Sequence, residues 1–485
     1  MSAVCSRLLV ALGAVLCAAA AWSQTTGSPL VRAYPRQVYG GDVGQVFDIA
    51  QDDRGLLYFA TFDSDLLEFD GERWRSLETQ GLLQALSIDG RGRMWMAGAS
   101  RIGYFAGDGE GARRFTPVHT LLPETERIFS GTWPILPTDR GIFFASREFL
   151  FRYRDEPEPH FTSWPGGADQ IFYRLYELDG RLFVAQLNVG LLELVGDQLI
   201  PLGGDALPAD AEVNAAFEID GDRILFFTRL HGAFVLDGDR IEPVSGPAIP
   251  WLQEQQVQHG CLLPDGRFAL GTRRGGVGFV DRELNLDGVV DERSGLTDNS
   301  ILTVFVDRSD ILWAASGDGV NSIIVETAVQ DFGDAEGLPK ASVTELLGHR
   351  GALYVATLDG LFEGRYGGGE DGKASVVFDP APLLESQVWE LLDLEDGLLA
   401  ATTDGLFDLR TRQSSGISLS SAAQLSTIAT TSLLAYPGAG DGENDGEPNQ
   451  VILGMAGGLG LAERDGDVWR FSRRLPGLQQ DVWGL

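Results

Sequence analysis

Residues 301 to 323 read ILTVFVDRSDILWAASGDGVNSI. The first six are an apolar run too short for a buried helix, Asp307 to Asp310 carry turn chemistry, and Ile311 to Ala315 resume the apolar run. That order predicts a strand, a tight turn and a second strand. Gly317, Asp318 and Gly319 supply a second turn from residues that tolerate positive φ, and Val320 to Val325 can form a third strand. The unit reads as an antiparallel meander.

The same unit recurs along the chain. It appears as QVFDIAQDDRGLLYFATFDSDLLEF from Gln45, QIFYRLYELDGRLFVAQLNVGLLEL from Gln170, SVTELLGHRGALYVATLDGLFEG from Ser342 and VWELLDLEDGLLAATTDGLFDL from Val388. Fainter copies begin near Gln84, Trp133, Val213 and Val257, and a further one runs from Leu425 to Phe471. Measured at the first turn, from Gly55 through Gly92 and on to Gly397, successive copies lie 37 to 49 residues apart. Several strands in a period of roughly 40 to 50 residues mark the blades of a β-propeller. Strands such as Ile301 to Val306 are apolar on both faces, so each small sheet must be covered on both sides, and stacking blades around an axis does this. Because one ring closes with about four to eight blades, the copies divide between two rings. The expected fold is all-β: a seven-bladed propeller over residues 24–330, then an incomplete second propeller of about three blades over 331–485.

The pattern of Val304 to Asp307, Leu312 to Ala315 and Gly319 to Val320, preceded by Ser294-Gly295-Leu296-Thr297-Asp298-Asn299, resembles the two-component regulator propeller repeat of bacterial membrane sensors. In that family a GL-x-x-N entry leads to an inner strand, then a D-x-x-G-x-L-W hairpin, then a T-x-x-G-L turn. Here Asp310 replaces the turn glycine and Ala315-Ser316 replaces Gly-Thr. The resemblance is strongest at Ser294 to Ile323 and Gly337 to Phe362. It implies a periplasmic sensor region whose full-length relatives continue into a small β-sandwich, one membrane helix and a cytoplasmic output domain. None of those later parts is found here, and RRLPGLQQDVWGL at the C-terminus resembles the entry of a further repeat, so a fragment of a longer receptor is expected.

Met1 to Ser23 combines Arg7, an apolar stretch from Leu8 to Ala21 and small residues Ala21 and Ser23 placed for cleavage, the arrangement of a secretory signal peptide. An exported protein on the periplasmic side is expected. Cys5 and Cys17 would leave with the signal, so Cys261 alone remains and no internal disulfide is available. With a net charge of -33, the chain is a poor partner for nucleic acid or an anionic membrane surface. Membrane contact is expected only through a missing C-terminal part. Residues 28–39 contain VRAYPRQVY, which can either complete the last blade as an edge strand, as Pro35 suggests, or form a lone tether.

Propellers carry function where loops converge over the central channel. The loops after the second strands contain Arg147, Asn188, Arg229, His231, Arg273 and Arg274, while the entries to the inner strands add Trp133 and Tyr173. Arginine forks bind carboxylate or phosphate, amides bond hydroxyls, and aromatic faces stack on sugars or other planar ligands. These eight residues are the candidate site for a small anionic or carbohydrate-like ligand, against the alternative that turn arginines are simply solvated. The five histidines fall in different copies without ligand spacing, and no zinc, phosphate-loop or nucleophile-elbow motif occurs. Asp441, Glu443 and Asp445 imitate the start of a calcium loop, but Ile452 stands at its twelfth position. No cofactor or metal is implied. A ligand-sensing region of a signalling receptor is therefore expected, with homodimerisation as one route for the signal and no catalysis within these residues. A secreted glycan-active lyase or hydrolase, or a non-catalytic scaffold, is the rival reading.

Overall fold

The computed structural model describes residues 29–484 apart from 41–43, 63–64, 80–83, 108–112, 203–205, 221–222, 326–331, 369–373, 382–383, 395–396, 412–418 and 437–448. The signal-like segment and the Asp441 to Gly446 turn lie outside these residues. Among the described residues every strand belongs to one of ten four-stranded antiparallel sheets. Nine of them are meanders in which the first strand is innermost. Contacts divide the chain into two compact units, Pro29–Val329 and Gln330–Leu485.

The first unit holds seven blades. In order they span Val46–Glu78, Ala85–Pro117, Thr132–Pro165, Phe172–Pro201, Val213–Val244, Val257–Val290 and Ile301–Ile324. Inner strands of successive blades pack on one another all the way round, and the inner strand of blade 7 returns to that of blade 1. This is a closed β-propeller. Blade 7 takes its fourth strand from the start of the chain: Leu30–Pro35 pairs antiparallel with Gly319–Ile324, Leu30 opposite Ile324 and Pro35 opposite Gly319. The proline sits at the sheet edge, where its missing N–H costs no ladder bond.

The hairpin between the first and second strands is set by one aspartate. Asp307 Oδ1 accepts the N–H groups of Ser309 at 2.8 Å and Ile311 at 3.0 Å, and Oδ2 accepts the indole N–H of Trp313 at 2.8 Å. Asp310 occupies the left-handed position with φ 61°, where other copies place Gly55, Gly92, Gly180, Gly266 and Gly351. Asp89 with Trp95 and Asp52 with Tyr58 repeat the arrangement, each aromatic lying six residues on. The aspartate thus joins turn to core. Second strands such as Leu57–Thr61, Met94–Gly98, Phe268–Thr272 and Leu312–Ser316 are buried at every position, which is why their sequences do not alternate.

The unit after residue 330 contains blades 8, 9 and 10, spanning Val343–Pro380, Val388–Ser426 and Thr430–Leu475. The inner strand of blade 9 packs against those of blades 8 and 10. Here the second turn is built by a threonine: Thr357 and Thr402 donate their hydroxyls to the carbonyls of Gly360 and Gly405, each at 2.9 Å, and accept the N–H groups of Asp359 and Asp404. Gly405 has φ 129°, and a Cβ there would collide with the Ser426 carbonyl, so glycine is required.

Candidate functional site

Six of the seven inner strands of the first ring carry a β-bulge near their start. Register shifts fall between Val46 and Asp48, Thr132 and Ile135, Phe172 and Arg174, Val213 and Ala215, Val257 and His259, and Ile301 and Thr303. A bulge places two residues opposite one and re-aims their side chains. In this ring they point to the axis. Phe47, Trp133, Tyr173, Asn214, Gln258 and Leu302, the residues set out of register, all line a central cavity of about 820 Å³ to which all seven blades contribute.

Charged groups enter the same cavity one position further on. Asp48 Oδ1 accepts the N–H of Ile49 at 3.0 Å, and Oδ2 accepts that of Leu86, on blade 2, at 2.9 Å. Burial nevertheless pushes its carboxyl up to about 7, against the opposing pull of those two N–H groups and of the Arg174 charge. Opposite it, the Arg174 guanidinium donates from Nη2 to the carbonyl of Gln258 at 3.0 Å, while its buried Nε has no hydrogen-bond partner. No described carboxylate forms an ion pair with Arg174. His259 accepts the Val304 N–H at Nδ1, 3.2 Å away, so its ring proton resides on Nε2. Burial and then the Arg174 charge bring its pKa down to about 3, so it is neutral. Two tyrosines brace the wall: Tyr173 Oη accepts the Val213 N–H at 2.7 Å and Tyr176 Oη donates to the Val213 carbonyl at 3.1 Å.

The post-bulge position has a second use. Asp48 reaches the Leu86 N–H, His259 that of Val304, Glu345 that of Leu391 and Glu390 that of Leu433, the last at 2.8 Å, so each clasps the inner strand of the following blade. Burial raises both Glu345 and Glu390.

Three of the eight sequence-derived candidates, Trp133, Tyr173 and Arg229, line the cavity. Arg229 is held by Glu212 at 3.0 Å and its Nε lies 3.4 Å from Gln256 Oε1, so its charge is already matched. The other five lie outside the cavity wall. Arg147, Arg273 and Arg274 are exposed on the rim. Asn188 is a turn residue with φ 59° whose amide donates to the Asp169 carbonyl at 2.9 Å. His231 stands 3.4 Å from Asp210. Asp48, Arg174 and His259 were not among the candidates. Aligning the copies on the bulge would have revealed them, because Asp48, Arg174, His259, Thr303, Glu345 and Glu390 share that column, with only Ile135 and Ala215 breaking it. Among the described residues no three His, Cys, Asp or Glu side chains converge as a metal site would require.

Asp48 makes the ring's stability depend on pH. Its folded pKa lies above the value near 4 expected when unfolded, so between those values the unfolded chain releases a proton that the folded chain keeps. Stability attributable to Asp48 is complete below about pH 4 and declines as pH rises to about 7. Urea midpoints at pH 5 and pH 8 should differ more in the wild type than in Asp48→Asn. Equal differences would show that the carboxyl is ionised in the fold.

No protein-family model matches the sequence, and no curated protein does. Solved structures similar to it include the extracellular domain assigned to a hybrid two-component system, BT3049, of B. thetaiotaomicron, at 15% identity and a TM-score of 0.62 over 92% of this chain and 61% of that one. The extracellular domain assigned to a one-component system, BT4673, of the same organism aligns at 16% identity and a TM-score of 0.50, covering 94% and 62%. Virginiamycin B lyase from Staphylococcus aureus aligns at 12% identity and a TM-score of 0.48, covering 61% of this chain and 99% of that one. At such identities the likeness is one of fold. The chain spans about three-fifths of the length of the two extracellular domains.

Proposed function

We propose that this chain is the ligand-sensing region of a transmembrane signalling receptor, working on the periplasmic side and holding a small anionic or carbohydrate-like ligand in the channel of its first ring. The observation that carries this is the cavity of about 820 Å³ into which bulges on the inner strands turn aromatic, amide and charged side chains together. Aromatic faces at Phe47, Trp133 and Tyr173 suit a planar or sugar-like body, and Arg174 suits an anion. The resemblance of the repeat to sensor propellers and the fold shared with two extracellular domains support the same role. Ligand binding would bias one arrangement of the receptor over another, and a C-terminal membrane segment would pass that bias on.

A catalytic reading asks for a free acid and base over the channel. Both Asp48 oxygens hold backbone N–H groups, His259 Nδ1 is committed to Val304, and both tyrosines are tied to Val213. These commitments favour binding over turnover.

The test is thermal unfolding of residues 24–485 against acidic and neutral oligosaccharides and small carboxylates, with product analysis of the same samples. A saturating ligand should raise stability by about 2–3 kcal/mol at a hundredfold excess over Kd and be recovered intact. Ser87→Trp, which fills the channel, should abolish the shift. Cleaved ligand, or no shift with any compound, overturns the proposal.

A further inference from the structure

The charges in the channel balance in only one protonation state. Its lining contains two guanidinium groups, Arg174 and Arg229, and two carboxyls, Asp48 and Glu212. Arg229 and Glu212 neutralise each other at 3.0 Å. That leaves Arg174 facing Asp48. His259 contributes no charge, because its Nδ1 accepts a backbone N–H and the ring stays neutral. The two tyrosines are likewise uncharged, both raised by burial. On the inner strands either side of Asp48 the cavity lining is uncharged, Leu86, Ser87 and Ile88 on blade 2 and Leu302, Thr303 and Phe305 on blade 7. When Asp48 is protonated, the channel carries one unmatched positive charge.

Resting on the sensor reading above, we propose that the channel takes a monocarboxylate together with one proton: the ligand's carboxylate docks on Arg174 and the proton, drawn from solvent, resides on Asp48. The guanidinium has room for it. Only Nη2 is engaged, to the Gln258 carbonyl, and Nε is buried without a partner, so donors remain for a carboxylate. A protonated Asp48 can also donate its hydroxyl into the cavity, where the ionised form offers only acceptors. An ionised Asp48 instead competes with the ligand for Arg174 and repels it. Since the Asp48 carboxyl is held near 7, the exchange falls in the physiological range. Monocarboxylates should therefore bind more tightly as the medium becomes more acidic.

Titration calorimetry with benzoate, phenylacetate and glucuronate, each against its uncharged amide, tests this at pH 6.0, 7.25 and 8.5. At least one acid should bind about tenfold more tightly at pH 6.0 than at pH 8.5, with its amide much weaker throughout. Repeating the titration in two buffers of different ionisation heat should show about one proton taken up per ligand above pH 7, a readout on the unaltered protein. Asp48→Asn should hold affinity constant within about twofold across the range, and Arg174→Gln should weaken the acid by roughly a hundredfold without changing the amide. Amides that bind as well as acids, or affinity independent of pH in the wild type, would overturn the carboxylate-plus-proton assignment while leaving the sensor reading intact. Failure of all three acids at every pH also overturns it, and the broader thermal panel then decides whether the channel binds anything.

Discussion

Asp89→Ala is expected to destabilise the first ring by about 3–5 kcal/mol. Asp89 is 8% exposed, and its carboxylate has four donors. Oδ1 accepts the N–H groups of Arg91 at 3.0 Å and Arg93 at 2.9 Å, closing the turn, while Oδ2 accepts the Trp95 indole N–H at 2.8 Å and Arg93 Nε at 2.7 Å. Truncation leaves the indole N–H without a partner among packed aromatic rings, Tyr104 at 4.8 Å, Tyr153 at 5.2 Å and Phe144 at 5.7 Å. An orphaned buried donor costs about 1–3 kcal/mol, and the two turn N–H groups add to it. Arg93 keeps its second carboxylate, Asp155, at 2.8 Å, which limits the loss. The effect also has a pH signature. Burial pushes the Asp89 carboxyl up, but the bonds from Trp95 and Arg93 outweigh it and hold the group below the usual carboxylate range. With the folded pKa below the unfolded one, the stabilisation is present above about pH 4 and is lost as pH falls through the folded value. Urea unfolding followed by tryptophan fluorescence should give a large difference between wild type and variant at pH 7 and a smaller one at pH 3.5. A loss under about 1 kcal/mol at pH 7 would mean that the turn is held by something other than this carboxylate.

Tyr34→Ala should cost a comparable amount, about 3–5 kcal/mol, for a different reason. Tyr34 is the one buried residue of the strand that closes the ring. Its ring stacks on Trp313 of blade 7 at 5.9 Å and meets Phe69 and Trp74 of blade 1, both at 5.5 Å. It therefore joins the last blade to the first. Removing it opens a cavity in a cluster that also includes Tyr39 and Phe59 and weakens the contact that makes the ring circular. Tyr34→Phe, which keeps the packing, should stay within about 1 kcal/mol of the wild type. Both variants can be measured by thermal and urea unfolding of residues 24–485. Deleting residues 29–35 should go further and remove the cooperative transition of the first ring, because blade 7 would lose its outer strand and its seal against blade 1. A ring that still unfolds sharply without those residues would show that closure depends on the inner strands alone.

The repeat was legible because its punctuation is chemical. In blades 1, 2 and 7 an aspartate before the hairpin binds both the turn and an aromatic six residues on, and a glycine or Asp310 takes the left-handed position, so these residues mark the repeat while the apolar ones vary. The channel was harder to read. Alternation assigns successive side chains to opposite faces, and a bulge breaks that rule at the wall of the central cavity. Trp133 and Tyr173 came into view because they flank the loops, whereas Asp48, Arg174 and His259, one position inside the strand, did not. Rim arginines drew weight from their chemistry, yet nothing in a turn sequence tells whether its arginine points to the axis or to solvent. The short helix Ile249–Gln255 before blade 6 was also hidden. Seven residues are too few for a period to show, and its role emerges only in three dimensions, where Leu252 is buried and the Trp251 ring fills the space above Gly278.

The borrowed fourth strand of blade 7 also imposes an order of events. Nine blades draw all four strands from consecutive chain, so their pairings are local and can form as soon as each segment is available. Blade 7 cannot, because Leu30–Pro35 is made first and its partner Gly319–Ile324 comes almost a whole ring later. Until that partner emerges the strand has no ladder to join, and closing so long a loop is the slowest pairing in the ring. Maturation of the first ring is thus a single late event, and until it occurs the first segment of the chain remains the natural target of proteases and quality control.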